Sequence, residues 1–220
     1  MILYTVGGKS GNETFIPIEK SGDLTNKNIY VNMTNRCPCS CVFCLRQTKK
    51  MLESNSLWLK EGEPSVEKVL EEFSHYDLSK VGEIVFCGFG EPLERLYDDC
   101  AVIDSLKKTN SHLKFRVNTV GLANLIWKKD VTEELKGRFD TVSISLNAPD
   151  EKEFLELTRS RFGIKSYEEV KKFAVLAKRY VPNVVMTVVD KVMSSEKIEK
   201  CKKICEDLGV KLRVRPFEES

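Results

Sequence analysis

Short strand-like segments alternate with helix-like segments along most of the chain. Several segments of the first kind alternate apolar and polar residues with a period of two, and in the second kind apolar residues recur every three or four positions. Residues 7–27 are rich in Gly, Ser, Asn, Thr and Lys and predict a loop. The predicted strands are 2–6, 28–34, 83–87, 114–118, 141–146, 184–189 and 211–215, and the predicted helices are 65–75, 96–108, 123–136, 150–157, 167–180 and 195–208.

From residue 28 onward, the alternation of strands with helices predicts a parallel sheet. Several of these strands nevertheless carry a polar face, whereas a sheet covered by helices on both faces would be apolar on both. A closed eight-stranded barrel would also fill its interior with Val, Ile and Leu. The polar residues that share a face are Tyr30, Asn32 and Thr34; Arg116 and Asn118; Thr141, Ser143, Ser145 and Asn147; and Arg213 and Arg215.

These patterns predict an α/β fold with helices on one face of a curved sheet and a polar space on the other. The predicted architecture is a partial, laterally open (β/α)6 barrel of the TIM type with parallel strands. We predict a single domain over 1–220, in which 1–27 form an N-terminal strand and loop and 28–220 form the partial barrel.

Candidate chemistry follows the strands at their carboxyl ends, where open α/β sheets bind ligands. The first parallel strand is followed by Cys37-Pro-Cys-Ser-Cys-Val-Phe-Cys44, which has cysteines at CxxxCxxC spacing. The next is followed by Gly88-Phe-Gly-Glu-Pro92. Closely spaced thiolates suit an iron–sulfur cluster. Since a [4Fe–4S] cluster has four irons, three cysteine ligands leave one iron open to another molecule.

A structural zinc site is the alternative interpretation of the cysteines. Zinc usually takes four ligands in such sites. Cys39 is the nearby fourth cysteine, but its CxCxC spacing is tight for tetrahedral coordination, so we interpret it as a bystander. Cys201 and Cys205 are four residues apart on a predicted helix, where core packing is the simpler interpretation.

Composition and charge argue against several classes of protein. The chain has 220 residues, 41% of them hydrophobic, and a net charge of +2, which gives no electrostatic case for non-specific nucleic-acid binding. No apolar run approaches the ~20 residues of a membrane span, and the N-terminus lacks the features of a signal peptide. We therefore expect a cytoplasmic protein whose eight cysteines are ligands or free thiols.

These motifs resemble those of the radical S-adenosylmethionine (SAM) superfamily. CxxxCxxC with Phe43 before the last cysteine matches its cluster motif, and the segment from Gly88 to Pro92 resembles its GGEP motif, with Phe89 in place of one glycine. The resemblance covers roughly residues 28–215. The short length, the Arg-Pro-Phe ending and the Cys-x-x-Cys-Leu-Arg sequence are most like the TatD-associated radical SAM group.

The resemblance implies a [4Fe–4S] cluster bound by Cys37, Cys41 and Cys44, with SAM on the fourth iron through its amine and carboxylate. It places Phe43 beside the adenine of SAM and Val188 in contact with it. It also implies that Gly90 and Glu91 hold the amine through backbone carbonyls of a glycine turn. The other implied SAM contacts are Gly88, Asn118, Thr119, Ser145 and Asn147, the last four at the ribose hydroxyls and the methionine carboxylate.

The implied reaction is reductive cleavage of SAM to methionine and a 5′-deoxyadenosyl radical, which removes a hydrogen atom from an unidentified substrate. This step requires no acid–base residue, so none is assigned as catalytic. The expected partners are a small-molecule or nucleotide-like substrate and an electron donor such as flavodoxin or ferredoxin. Arg213, Arg215 and Arg46 are the candidate substrate contacts, because Arg binds carboxylate or phosphate bidentately.

Other functions stay open from the sequence. Two enzymatic alternatives are a glycyl-radical activase and a deazapurine-type synthase. The non-enzymatic alternative is an iron–sulfur electron carrier or a zinc-stabilised binding module. The sequence identifies neither the substrate nor the oligomeric state.

Overall fold

The fold is built on one eight-stranded sheet. The computed structural model describes residues 1–9, 12–48 and 57–217. Within them, the strands pair in the order β2-β1-β3-β4-β5-β6-β7-β8. The strands are β1 (Leu3–Lys9), β2 (Asn12–Pro17), β3 (Ile29–Val31), β4 (Ile84–Phe86), β5 (Phe115–Thr119), β6 (Thr141–Ser145), β7 (Asn183–Val189) and β8 (Lys211–Arg215).

Strands β3 to β8 are parallel and are joined by helical crossovers, which confirms the predicted α/β fold. The sheet is open and mostly parallel, as in a partial TIM-type barrel. The helices are α1 (Leu45–Thr48), α2 (Val66–Ser74), α3 (Leu96–Thr109), α4 (Ala123–Trp127), α5 (Glu151–Thr158), α6 (Ser166–Ala177) and α7 (Ser195–Asp207). Short 3-10 turns add Ile18–Lys20, Pro92–Arg95, Thr132–Leu135 and Gly163–Lys165.

The period-two pattern of the strands divides their side chains between two environments. Val117, Val142, Ile144 and Met186 are buried in the main core, which lies between the sheet and the helices. The helices contribute their apolar faces to this core, as α2 does with Phe73. Local capping starts several of them: the hydroxyl of the residue before α2 and that of the residue before α7 each accept a backbone N–H from the first turn. No helix of the described residues is long and apolar enough to cross a bilayer.

The structure corrects the prediction of a loop over residues 7–27. Strand β1 extends to Lys9 and pairs antiparallel with β2, so two strands are added at the β3 edge of the parallel sheet. The rings of Tyr4 and Phe15 explain this, because they pack edge to face at 5.5 Å and are buried. Glycine and polar residues between these aromatics made the segment resemble a loop, whereas burial of the two rings favours a pleated pair of strands.

The predicted helix over 123–136 is also interrupted. Helix α4 ends at Trp127 because Lys128 adopts a left-handed conformation with φ of 56°. The side chain of Asp130 then accepts hydrogen bonds from the backbone N–H and hydroxyl of Thr132, which starts a separate 3-10 turn. Short-range side-chain hydrogen bonding thus outweighs the helical spacing of the apolar residues.

Candidate functional site

A cavity of about 570 Å³ lies on the inner face of the sheet. Strands at both ends of the parallel run border it, since Tyr30 of β3 and Arg215 of β8 both line it. The sheet is therefore curved around this space. Most of the predicted site residues meet here: Cys37, Cys41, Phe43, Cys44, Gly88, Gly90, Glu91, Asn118, Thr119, Ser145, Asn147, Arg213 and Arg215 all line the cavity.

The cysteine loop is held in place by the segment that ends α5. The backbone amides of Ser40 and Val42 donate to the carbonyls of Thr158 and Leu157 at 2.8 and 2.9 Å. The amide of Arg161 donates in return to the carbonyl of Pro38 at 2.9 Å. These bonds fix the loop backbone on both sides of Cys39, so the thiols project from a loop supported by distant residues.

The four thiols of this loop differ in exposure and electrostatics. Cys37, Cys41 and Cys44 are partly exposed and border the cavity, whereas Cys39 is only 5% exposed and does not. Hydrogen bonding to Cys37 and Cys41 raises the pKa of Cys39, and burial adds to the rise. The hydrogen bond from Cys39 lowers the pKa of Cys41, while burial raises the pKa of Cys44. Cys39 is thus placed to remain a neutral donor beside its neighbours.

The three cavity-lining thiols do not form a compact single-ion site. Among the described residues, no group of three or more His, Cys, Asp or Glu side chains could hold one metal ion. A structural zinc requires its ligands to converge on a single centre. In a [4Fe–4S] cluster each thiolate binds a different iron. Cys37, Cys41 and Cys44 supply three such thiols at the border of one cavity.

The glycine turn after β4 packs directly against the stem of the cysteine loop. A Cβ atom on Gly90 would overlap the carbonyl oxygens of Thr34 and Arg36, and the amide of Glu91 donates to the Arg36 carbonyl at 2.7 Å. The Arg36 guanidinium in turn pairs with Glu63, with Nε 2.7 Å from Oε1. The absence of a side chain at position 90 thus allows the two loops to share one wall of the cavity.

Glu91 joins this turn to the loop after β5. Its side chain is 1% exposed and accepts hydrogen bonds from the Thr119 hydroxyl at 2.6 Å, the Val120 amide at 2.7 Å and the Leu93 amide at 3.1 Å. The hydrogen-bonding capacity of the Glu91 carboxylate is therefore directed to donors within the protein. Any contact of this turn with a ligand amine would come from main-chain carbonyls, and the Thr119 hydroxyl is likewise already engaged.

Burial raises the pKa of the Glu91 carboxyl to about 7. The folded protein therefore binds more protons than the unfolded chain between about pH 4.5 and 7, and this contribution to stability is lost as the pH rises through that range. We expect the free energy of unfolding of the wild type, relative to Glu91→Gln, to fall by up to about 3 kcal/mol from pH 5 to pH 8. Urea unfolding of both proteins at each pH measures this; a difference independent of pH would contradict it.

Two asparagines leave buried acceptors facing the cavity. The Oδ1 atoms of Asn118 and Asn147 are buried and have no hydrogen-bond partner among the described residues. Asn147 has a φ of 59°, which its short polar side chain tolerates better than most. A buried acceptor without a partner is costly, so a ligand that offers hydroxyl or ammonium donors would be stabilised here. The polar groups of SAM fit this requirement.

Some predicted site residues lie elsewhere. Val188 is fully buried in the core on the helix side of β7, and the adjacent Val189 lines the cavity instead, because successive strand residues point to opposite faces. Arg46 does not line the cavity: its Nη1 donates to the Asn35 carbonyl at 3.1 Å, and its guanidinium lies over the Trp58 ring. Residues 49–56, which follow α1, lie outside the described residues.

Sequence inspection missed several cavity residues. Tyr4 and Phe15 were missed because their strands were not both predicted. Glu83 was also missed, although the period-two pattern places it on the same face as Cys87; Arg116, already named on the polar strand face, lines the cavity as well. That pattern was available from the sequence, whereas the approach of β1 and β2 to the inner face was not.

Comparisons with known proteins agree with this geometry. A family model described as the Radical SAM superfamily matches residues 31–205. A search of curated proteins returns no match. The chain is similar to a solved radical SAM methyltransferase from Sphaerobacter thermophilus, with 16% identity and a TM-score of 0.58 over 93% of this chain and 57% of that one.

A second similar protein is Streptococcus suis SuiB. Its structure with precursor peptide SuiA has 18% identity and a TM-score of 0.64 over 88% of this chain and 40% of that one. Its structure with S-adenosylmethionine has 17% identity and a TM-score of 0.59 over 86% of this chain and 38% of that one. Identities this low indicate a shared fold alone. The chain spans between 38% and 57% of the length of these structures.

Proposed function

Because this chain belongs to the radical SAM superfamily, we propose that it is a radical SAM enzyme that binds a [4Fe–4S] cluster through Cys37, Cys41 and Cys44. One observation carries the proposal: these three thiols line the same cavity as the unpartnered acceptors of Asn118 and Asn147. The cavity thus combines a set of iron ligands with a polar surface suited to SAM.

Cys37, Cys41 and Cys44 would hold the cluster, which when bound would supply the electron that reductive cleavage of SAM requires. The protein's own residues would bind and position. Phe43 would border the adenine, and Val189 is the β7 side chain available there. Asn118, Asn147 and Ser145 would receive the hydroxyl and amine donors of SAM. The backbone hydrogen bonds to the carbonyls of Thr158 and Arg36 would hold the cysteine loop in position relative to these SAM contacts.

The finer assignments are part of the same proposal. The Cys-x-x-Cys-Leu-Arg segment at 41–46 and the Arg-Pro-Phe segment at 215–217 favour the TatD-associated group. We propose an electron donor such as flavodoxin or ferredoxin, because the radical reaction consumes one electron from outside the protein. The free thiol state of all eight cysteines favours a reducing compartment such as the cytoplasm. The enzymatic alternatives, which differ in substrate, are a glycyl-radical activase and a deazapurine-type synthase.

The proposed function is tested by anaerobic reconstitution with iron and sulfide. We expect about four irons per chain and formation of 5′-deoxyadenosine when both dithionite and SAM are added, but not when either is omitted. Cluster binding without 5′-deoxyadenosine would indicate an electron carrier. Retention of zinc with no iron would indicate a zinc-stabilised module. Either result would overturn the proposal.

Replacing Asn118 by Ala tests the SAM surface. We expect SAM to bind about fivefold more weakly, since one hydrogen bond contributes on the order of 1 kcal/mol. The free energy of unfolding without SAM should stay unchanged or rise, because the variant removes a buried acceptor that has no partner among the described residues. Calorimetric titration and urea unfolding measure the two quantities. Asn110→Ala, outside the cavity, is the matched control; equal SAM affinity in both variants would contradict this role.

A further inference from the structure

The end of the cavity opposite the cysteine loop is charged. Glu83 directly precedes β4, at the amino end of the parallel strands, and Arg116 lies early in β5. Their side chains form an ion pair with Nε 3.0 Å from Oε2, and they are 23% and 13% exposed. Both line the cavity. The cysteine loop, in contrast, follows the carboxyl end of β3, so the ion pair and the cluster ligands lie at different ends of one space.

Arg213 gives the cavity an excess of positive charge. It lies on β8, two residues before Arg215, and both side chains line the cavity. Arg213 interacts electrostatically with Glu83, but Glu83 is already paired with Arg116, and Arg213 makes no ion pair with a carboxylate of the described residues. The only other described acid bordering the cavity, Glu91, directs its carboxylate to internal donors. A guanidinium therefore remains for an anionic group of a ligand.

One wall of the cavity is aromatic. Tyr4, Phe15, Tyr30 and Phe89, which we call the aromatic wall, all line the cavity. Tyr4 stacks on Tyr30 with centroids 5.2 Å apart and contacts Phe15 edge to face. Phe15 contacts Phe89 at 6.4 Å. Phe89, the departure from the GGEP motif, is thus explained by packing against β2. The wall offers an apolar, planar surface within the cavity that Arg213 also lines.

We propose that the substrate is a small anion with a planar ring, whose carboxylate or phosphate binds Arg213 while the ring lies on the aromatic wall. This inference rests on the proposed function, because it names the substrate class of the same cavity. Glu83 neutralises the guanidinium of Arg116. Arg213 is therefore the arginine left to contact the anionic group. Arg215, nearer the rim, is the arginine closer to the SAM-binding end.

The test uses the full chain, with and without reconstituted cluster, and phenyl phosphate, benzoate and neutral benzamide as probes in titrations followed by ligand-observed NMR. We expect phenyl phosphate or benzoate to bind the wild type and to bind Arg213→Gln at least tenfold more weakly, since a charge-assisted hydrogen bond contributes about 1.5–3 kcal/mol. Which of the two anions binds more tightly distinguishes a phosphate from a carboxylate substrate. Benzamide should bind both proteins equally.

Lys211→Gln is the matched control, because Lys211 is exposed on the same strand and does not line the cavity. It should leave anion binding unchanged. Tyr30→Leu should weaken phenyl phosphate but not inorganic phosphate, which has no ring to place on the wall. Circular dichroism and thermal unfolding establish that the variants are folded.

Three outcomes would overturn the inference. One is the failure of both anions to bind the wild type, and another is equal binding by wild type and Arg213→Gln. The third is a loss of SAM affinity in Arg213→Gln with anion binding intact, which would assign Arg213 to the SAM carboxylate. These titrations need no turnover, so Arg213-dependent anion binding would stand even if no 5′-deoxyadenosine formed. Failure of the proposed function and failure of this inference are therefore separable.

Discussion

Alanine at Cys37, Cys41 or Cys44 is expected to abolish cluster binding, whereas alanine at Cys39 is expected to preserve it. Each of the three cavity-lining thiols would bind a separate iron, so loss of one leaves too few protein ligands to retain the cluster. Cys39 is 5% exposed and lies outside the cavity, where its hydrogen bonds reach Cys37 and Cys41. Its replacement should cost about 1 kcal/mol of folding free energy without removing a ligand.

Iron content, the visible absorption of the reconstituted protein and 5′-deoxyadenosine formation measure this result. Each ligand variant should lose all three, while Cys39→Ala should keep about four irons per chain and most of the activity. Far-UV circular dichroism without the cluster checks that the variants are folded. Loss of iron in Cys39→Ala with the fold intact would show that Cys39 is a ligand and would overturn the assignment.

Alanine at Gly90 is expected to separate the glycine turn from the stem of the cysteine loop. The added Cβ would overlap the carbonyl oxygens of Thr34 and Arg36, which are backbone atoms and cannot turn away as a flexible side chain can. We expect the free energy of unfolding to fall by about 3 kcal/mol, because overpacking at a tight backbone contact is costly. Displacement of the stem should also reduce the retained iron severalfold.

Gly137→Ala is the matched control for this glycine. Gly137 has a φ of +69° and no atom within contact range of an added Cβ, so its substitution introduces backbone strain without a collision. It should cost about 1 kcal/mol and leave the iron content unchanged. Urea unfolding measures the stability of both variants, and iron analysis measures how much iron each retains. A Gly90→Ala protein that matches Gly137→Ala in stability and iron content would show that the two loops do not need this close approach.

Several elements could be predicted because their determinants are short-range. The strands and helices after residue 28 follow period-two and helical patterns that operate within one segment, and the curved sheet followed from polar residues recurring on one strand face. The order of strands β3 to β8 followed from the regular alternation. Pairing of β1 with β2 did not, because it depends on Tyr4 and Phe15 packing against Tyr30 and Phe89 on one wall of the cavity.

Within the site, likewise, some residue roles could be predicted from the sequence and others could not. Spacing alone identified Cys37, Cys41 and Cys44 as a ligand set, and it could not show that Cys39 turns inward. One residue of register separates Val188 in the core from Val189 in the cavity, so a residue chosen near the end of a strand is easily placed on the wrong face. Arg46 faces the Asn35 carbonyl and the Trp58 ring, neither of which its position after the cysteines indicates.

The cysteine spacing, the glycine turn and the alternating strands can be identified from the amino-acid sequence, and together they indicate the superfamily. Which polar groups are still free for a ligand depends on the folded chain. Glu91 is occupied by donors 28 and 29 residues away, and Glu83 by Arg116 on the neighbouring strand, while Asn118, Asn147 and Arg213 face the cavity. The reason is physical: a motif depends on neighbours in the chain, but the satisfaction of a buried polar group depends on neighbours in space.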